Sequence, residues 1–131
     1  MTAVLNPITL IACKQKVGAE DADKIALPVL IHLDCAKRGV CTAPGANFLT
    51  THLIIASYIA SRTKSQLFHD IVTGAYAALG RAADRPTVLL DLTTAEYQLI
   101  RTAFRWYLRA IPSVEVGVMA EACAAAERMM A

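Results

Sequence analysis

Three arginines recur at intervals of four residues near the end of the sequence, at Arg101, Arg105 and Arg109. Residues four apart lie on one side of an α-helix, so this spacing aligns three guanidinium groups in a single stripe. Because guanidinium groups bind carboxylates and phosphates in a bidentate way, the stripe could bind an acidic protein or a nucleic acid. The structural alternative is that apolar residues occupy the other faces of this helix and leave the arginines to face solvent.

A second group of residues has the types needed for acid–base chemistry or metal binding. His52 falls in the middle of a predicted apolar helix face, where it could be a general base, a metal ligand, or a neutral core residue bonded to a carbonyl or hydroxyl. His32 and Cys35 lie three residues apart, on adjacent turns of one helix, and Cys41 follows them. This spacing matches no common zinc pattern, even if His52 or His69 came close. We therefore expect no metal, no cofactor and four reduced thiols.

Sequence motifs of the common enzyme classes are absent from the chain. It contains no nucleophile elbow, HExxH motif, phosphate-binding glycine loop or paired-carboxylate motif. An enzymatic or metal-binding role would therefore have to depend on His52 together with His32 and Cys35. We expect no catalytic residues and a protein that is not an enzyme.

The segment 56–67 resembles a helix-turn-helix, with a small residue before the turn and Ser, Thr and Gln at the start of the following helix. The helix after the turn would have to contact the bases of DNA. Beyond Lys64, its exposed side offers a glutamine, a histidine, an aspartate and a threonine, but no arginine before Arg81. These residues supply few contacts to DNA. A small DNA-binding regulator is the alternative function.

Length and composition predict one all-α domain over residues 1–131. The 131 residues are 56% hydrophobic, 6% aromatic and 18% charged, and Ala, Leu, Ile and Val dominate the apolar share. That composition is more typical of close-packed helices than of a pleated sheet. The charged residues are too few to give every helix a polar, solvent-facing side. We therefore expect deeply buried helices, self-association, or both. The net charge of +2 does not require a polyanionic partner.

Neither a membrane span nor a secretion signal is expected. The longest uncharged stretch, residues 39–61, is interrupted by Pro44 and Gly45. The segment 10–13, ending at Cys13, resembles a lipobox, but no Lys or Arg precedes it and Asn6-Pro7 interrupts the apolar part. We therefore expect a cytoplasmic protein without a membrane anchor.

Helix start and stop residues predict a compact bundle of four to five helices. Segment 1–19 is expected to hold a short helix from Asn6-Pro7 to Lys16, or to pack loosely. The next helix should end at residues 37–39 and hold Pro28 in its first turns. A central helix is predicted from Thr42 to about Arg62, and Ser65 caps the next helix, which has Leu67 on its buried half. The following helix starts at a capping box formed by Thr93 and Glu96. Ser113 caps the last predicted helix, which runs from Val114 to about Met130.

Two residues of the helix that follows Thr93 suggest contact between copies of the chain. On a helical projection, one apolar face contains Ile100 and Phe104, whereas Leu99 and Trp106 belong to a second apolar face. A helix that is apolar on two sides needs neighbours on both. Leu99 and Trp106 therefore lie either in the core or at an oligomer interface.

A set of residues spread over the last hundred positions resembles short all-helical proteins of unknown function from proteobacterial prophages and mobile elements. These residues are Leu27-Pro28-Val29, Leu33-Asp34, Gly39, Leu92-Thr93, Glu96 and Tyr107. The resemblance implies a bacterial, cytosolic setting and brings no activity with it. From the residues themselves we predict a non-enzymatic helical protein that acts through protein–protein contacts, with self-association and an unidentified protein partner.

Overall fold

The structure, a computed structural model, describes residues 13–131, and this range contains five α-helices that pack on one another. They are α1 (Gly18–Lys37), α2 (Ala43–Thr63), α3 (Gln66–Ala83), α4 (Thr94–Ala110) and α5 (Val116–Met130), with a short 3-10 turn, Ile111–Ser113, between α4 and α5. The predicted all-α bundle is confirmed. The start of the helix expected from Asn6-Pro7 lies outside the described residues. No helix in residues 13–131 is both long and apolar enough to cross a membrane.

Helix α2 is the central helix, as its wide apolar surface predicted. It packs against α1, α3 and α5 and also contacts α4. Buried residues, Ile54 among them, occur on more than one side of α2, because neighbouring helices cover it on several sides. The buried residues of α2 are Gly45, Ala46, Leu49, Leu53, Ile54, Ile55, Ala56, Ile59 and Ala60.

Helix α4 begins at the capping box that the sequence predicted. The backbone N–H of Glu96 donates to Thr93 Oγ1 at 3.1 Å, and the backbone N–H of Thr93 donates to Glu96 Oε1 at 2.9 Å. These two bonds satisfy donors that the first turn of a helix would otherwise leave without partners. The box fixes where α4 starts and therefore the register of its arginines.

We expect Thr93→Ala to lower the free energy of unfolding by about 1 kcal/mol, the usual cost of removing a helix cap. Glu96 should keep its bonds to Arg85, so the fold should persist. Urea denaturation checks this value. Thr94→Ala, an exposed substitution at the next residue, is the matched control and should change the free energy by less than about 0.5 kcal/mol.

The predicted position of Pro28 is wrong. Pro28 is the eleventh of the twenty residues of α1, in the middle of the helix. The helix starts earlier than expected because tertiary contacts hold the preceding chain: Val17 N–H donates to the Val114 carbonyl at 2.9 Å, and Val116 N–H donates to the Gln15 carbonyl at 2.8 Å. Local start and stop residues contain no information about such contacts.

Two further details at helix starts are wrong. Leu67 is 60% exposed, although its neighbour Phe68 is buried. The buried stripe of α3 follows Phe68 and Val72, and Leu67 lies at its edge. Ser113 does not cap α5: it belongs to the 3-10 turn, and α5 begins at Val116 after an N-cap, Glu115, whose side chain makes no capping bond.

Candidate functional site

A groove with a volume of about 450 Å³ runs between α1 and α4. The hydrogen bond between Val17 and Val114 places the start of α1 beside the end of α4, so the two helices run in opposite directions. The groove is lined from α1 by Ala22, Asp23, Ala26, Leu30 and Leu33, and from α4 and the turn after it by Arg101, Phe104, Arg105, Leu108, Arg109 and Pro112. We call it the arginine groove.

The floor of the arginine groove is apolar, and one of its sides is cationic. Ala22, Leu33 and Phe104 are buried. All three arginines predicted to form a stripe do lie together on the α4 side, and they are exposed. The stripe therefore faces solvent, as the structural alternative required, but it also borders a concave apolar surface.

The three groove arginines have no internal partner: within residues 13–131, none of them forms an ion pair or a side-chain hydrogen bond. Other arginines of the chain do form ion pairs. Those pairs are Arg38 with Asp34 at 3.0 Å, Arg62 with Glu121 at 2.8 Å, Arg81 with Glu96 at 3.8 Å, and Arg85 with Glu96 at 2.6 Å. The guanidinium donors in the groove are therefore available to an external acid.

The α1 side of the groove carries exposed apolar side chains. Leu27 is 63% exposed, and Leu30 and Ile31 are each 52% exposed. Their spacing puts all three on one side of α1, and Leu30 also lines the groove. Of the described residues, Asp23 is the one acidic residue in the lining, near the end where Arg109 and Pro112 lie. The surface is thus apolar on one side, cationic on the other, and weakly acidic at one end.

His52 is largely buried and hydrogen-bonded. Its Nδ1 lies 2.8 Å from the hydroxyl oxygen of Tyr107 on α4. Burial, with a smaller contribution from nearby His32, lowers the pKa of His52 from 6.5 to about 4, and burial raises the pKa of Tyr107. Both side chains are therefore neutral near pH 7. This matches the interpretation of His52 as a neutral core histidine bonded to a hydroxyl.

His32 lies near His52 but differs from it in hydrogen bonding. The ring of Phe48 separates them, with ring centroids 4.3 Å from His32 and 4.6 Å from His52. Nδ1 of His32 is buried and has no hydrogen-bond partner among the described residues.

The cysteines near this aromatic stack are free thiols. All four cysteines are unpaired, and burial, with a smaller effect of Cys35, raises the pKa of Cys41. A raised pKa keeps the thiol protonated and unreactive. Among residues 13–131, no three His, Cys, Asp or Glu side chains come together in a way that could hold a metal ion. His32 and His52 belong to a packed cluster of rings with Phe48 and Tyr107, and Cys35 is a half-buried free thiol.

No known family model, curated protein or solved structure matches the chain. Function therefore has to be inferred from its own side chains. Nδ1 of His52 is already bonded to the Tyr107 hydroxyl, and both side chains are neutral near pH 7. The arginine groove combines an apolar surface with cationic groups that have no ion-pair partner in the described part of the chain, so it is the candidate functional site.

The two residues proposed for an oligomer interface have different environments. Trp106 is half-buried and packs on Phe68 of α3, with ring centroids 5.9 Å apart, so it belongs to the contact between α3 and α4. Leu99 is 45% exposed and lines a shallow depression with Ile71 and Gly74. An oligomer interface at Leu99 stays a prediction. Light scattering would test it by comparing the mass in solution of the wild type with that of Leu99→Glu.

Sequence reasoning found the arginine stripe but missed the groove. Nothing local indicates that α1 packs beside Arg101 and Arg109. One available pattern was the run 25–31, in which apolar residues occupy more than one face of α1. Such an excess indicates a helix that needs a second partner beyond the core.

Proposed function

We propose that the protein is not an enzyme and acts through protein–protein contacts, by binding an acidic amphipathic helix of a partner protein in the arginine groove. One observation supports this most directly: Arg101, Arg105 and Arg109 line an apolar groove and have no acidic partner among residues 13–131. Surface arginines alone would only form the solvent-exposed face of a helix. Next to an apolar floor and the exposed Leu30, they favour a ligand with both an apolar and an acidic face.

The spacing of the groove suits a helix as ligand. Arg101, Arg105 and Arg109 are separated by about 6 Å along α4, since each residue rises about 1.5 Å. Carboxylates at four-residue intervals on a partner helix have the same separation. Apolar side chains at the intervening helical positions would cover the floor and Leu30, which is the usual way in which an amphipathic helix occupies a groove.

A nucleic acid suits the same surface less well. Proteins that bind single strands stack bases on aromatic side chains, but Phe104, the aromatic residue of the groove, is fully buried. The exposed Leu30 in the lining would lie against phosphates without any favourable contact. On the helix-turn-helix-like segment, Gln66 donates a hydrogen bond to Asp70 at 2.8 Å, so part of the exposed polar side of α3 is already engaged.

The test uses a designed helical peptide with leucines on one face and glutamates at four-residue intervals beside them. We expect the peptide to bind saturably, and replacement of Arg101, Arg105 and Arg109 by Gln to weaken binding by about 10- to 100-fold, because each ion pair contributes about 0.5–1 kcal/mol. Thermal unfolding and mass should not change. Fluorescence anisotropy measures the binding, and light scattering measures the mass.

A matched protein control replaces three other exposed basic residues, Lys14, Lys37 and Arg128, by Gln and changes the net charge equally. It should bind the peptide within about twofold of the wild type, since none of these three residues lines the groove and exposed charges are largely screened by salt. Two control peptides, one with lysines for glutamates and one with glutamines for leucines, should bind poorly. Equal weakening by both protein variants, or salt-sensitive binding of duplex DNA that only the groove variant loses, would contradict the proposal.

A further inference from the structure

A second concave site lies on another side of the bundle, between α2, α3 and α5. Its volume of about 420 Å³ falls in the range of small-molecule pockets. Ile54 and Val72, both buried, form its floor, so it reaches the core. Tyr58, Tyr76 and Met129 form its walls.

The pocket exists because α5 presents a small side chain at this point. Ala122 and Ala126 are fully buried, which shows that α5 packs closely against the bundle. Ala125, between them and half-buried, lines the pocket with a single methyl group. A larger side chain at residue 125 would fill the space.

The Ser57 hydroxyl is the pocket hydroxyl best placed for a ligand. The hydroxyls of Thr73 and Tyr76 also lack a hydrogen-bond partner within residues 13–131, but these two residues are exposed, whereas Ser57 is half-buried. Helix α2 contains five serines and threonines, and hydroxyls in helices usually bond to a carbonyl three or four residues earlier. The Ser57 hydroxyl, which lines the pocket, makes no hydrogen bond to any residue within 13–131. The four hydroxyls that do bond to such a carbonyl are those of Thr50, Thr51, Ser61 and Thr63, at 2.9, 2.8, 2.6 and 3.0 Å.

The charges at the rim of the pocket neutralise each other. Tyr58 donates its hydroxyl hydrogen to Glu121 Oε2 at 2.6 Å, and Arg62 donates to the Tyr58 hydroxyl at 3.0 Å and to Glu121 at 2.8 Å. Among residues 13–131, no Asp, Glu, Lys or Arg lines the pocket. A charged ligand would lose its hydration without gaining a counter-ion.

From these features we infer that the pocket between α2, α3 and α5 binds a small, neutral, largely apolar molecule, whose one polar group forms a hydrogen bond with Ser57. Apolar atoms of the ligand lie over Ile54 and Val72 and between the two tyrosine rings. Met129, 63% exposed and flexible, adapts to ligands of different shape. This site is separate from the arginine groove and does not depend on the function proposed for it.

The test uses N-phenyl-1-naphthylamine, a neutral dye whose fluorescence rises in apolar surroundings. We expect saturable binding of one dye per chain. Ala125→Phe, which fills the pocket, should weaken binding by at least about tenfold, whereas Ala124→Phe, at the exposed neighbouring position, should change it by less than about twofold. Circular dichroism checks that both variants are folded, and Ala125→Leu replaces Ala125→Phe if that variant is unfolded.

A second pair of ligands tests the role of Ser57. Ser57→Ala should weaken displacement of the dye by 1-naphthol about fivefold, the value of one neutral hydrogen bond, and displacement by naphthalene less than about twofold. The Arg101, Arg105 and Arg109 to Gln variant should bind the dye like the wild type. The inference would be overturned by non-saturable dye binding, or by tight binding that a folded Ala125→Phe or Ala125→Leu variant retains. The assignment of the hydrogen bond to Ser57 would be overturned if Ser57→Ala weakened the binding of 1-naphthol and of naphthalene equally.

Discussion

Replacement of Glu96 by Ala is expected to lower the free energy of unfolding by about 3 kcal/mol, within the range for breaking a buried ion pair. The side chain of Glu96 is only 7% exposed. It accepts two hydrogen bonds from the Arg85 guanidinium, at 2.6 and 2.7 Å, and one from the Thr93 backbone N–H at 2.9 Å. Arg85 also donates to the Asp91 carbonyl, so loss of the carboxylate frees both the start of α4 and the segment before it. The Arg85 side chain is about a third exposed, and its partial rehydration keeps the loss near the lower end of the range.

The coupling between Glu96 and Arg85 is measurable in a double-mutant cycle by urea denaturation. We expect the variant lacking both side chains to lose less stability than the sum of the single losses, by about 1–3 kcal/mol, because each single change leaves a charge without its partner. Glu127→Ala, an exposed change on α5, should alter the free energy by less than about 0.5 kcal/mol. A loss below about 1 kcal/mol for Glu96→Ala would mean that water already compensates this pair.

Mild acid is expected to destabilise the protein through His52. Its pKa is about 4 in the folded chain, against 6.5 as the ordinary value, because burial disfavours the charged imidazole. The unfolded chain therefore takes up a proton more readily, and the free energy of unfolding falls as pH decreases from 6.5 to 4. The full loss is about 3 kcal/mol, of which about 1.5 kcal/mol falls between pH 6.5 and 5. Glu96 affects stability at lower pH. Hydrogen bonds from Arg85, and to a smaller extent from Thr93, lower the pKa of Glu96 to about 2, so the stability that its carboxylate contributes is lost as the pH falls from 4.5 to 2.

Three variants separate the ionisation of His52 from its hydrogen bond. His52→Asn keeps a polar partner for the Tyr107 hydroxyl but cannot ionise, so the fall between pH 6.5 and 5 should largely disappear. Tyr107→Phe should cost about 1–3 kcal/mol at pH 7 and keep that fall. His69→Asn removes a histidine that faces solvent more and serves as the control. If His52→Asn shows the wild-type pH dependence in urea denaturation, another group is responsible.

Helix boundaries were predictable where a local interaction sets them. The Thr93 capping box and the Ser65 N-cap, whose hydroxyl accepts from Phe68 N–H at 3.2 Å, both depend on residues three apart. The buried position of α2 also followed from its own apolar surface. These features need no knowledge of the rest of the chain.

Features that join distant segments were not predictable in the same way. The partner of His52 is 55 residues away, and the sequence indicated only that some carbonyl or hydroxyl would be there. The arginine groove needs α1 to lie beside Arg101, which is a property of the packed bundle. The start of α1 depended likewise on Val17 and Val114, and this is why the expected position of Pro28 failed.

The proline inside α1 has a consequence for hydrogen exchange. Pro28 has no amide hydrogen to donate to the carbonyl of Lys24, so the helix lacks one backbone hydrogen bond near its middle. The turns before Pro28 contain one buried residue, Ala22, whereas the turns after it contain Val29, Leu33 and Ala36. Amides in residues 18–27 should therefore exchange by local opening well before those in 29–37. The early turns supply Ala22, Asp23 and Ala26 to the arginine groove, and the later turns supply Leu30 and Leu33. An occupied groove should therefore slow exchange in the early turns most, because the later turns are already held by more buried side chains.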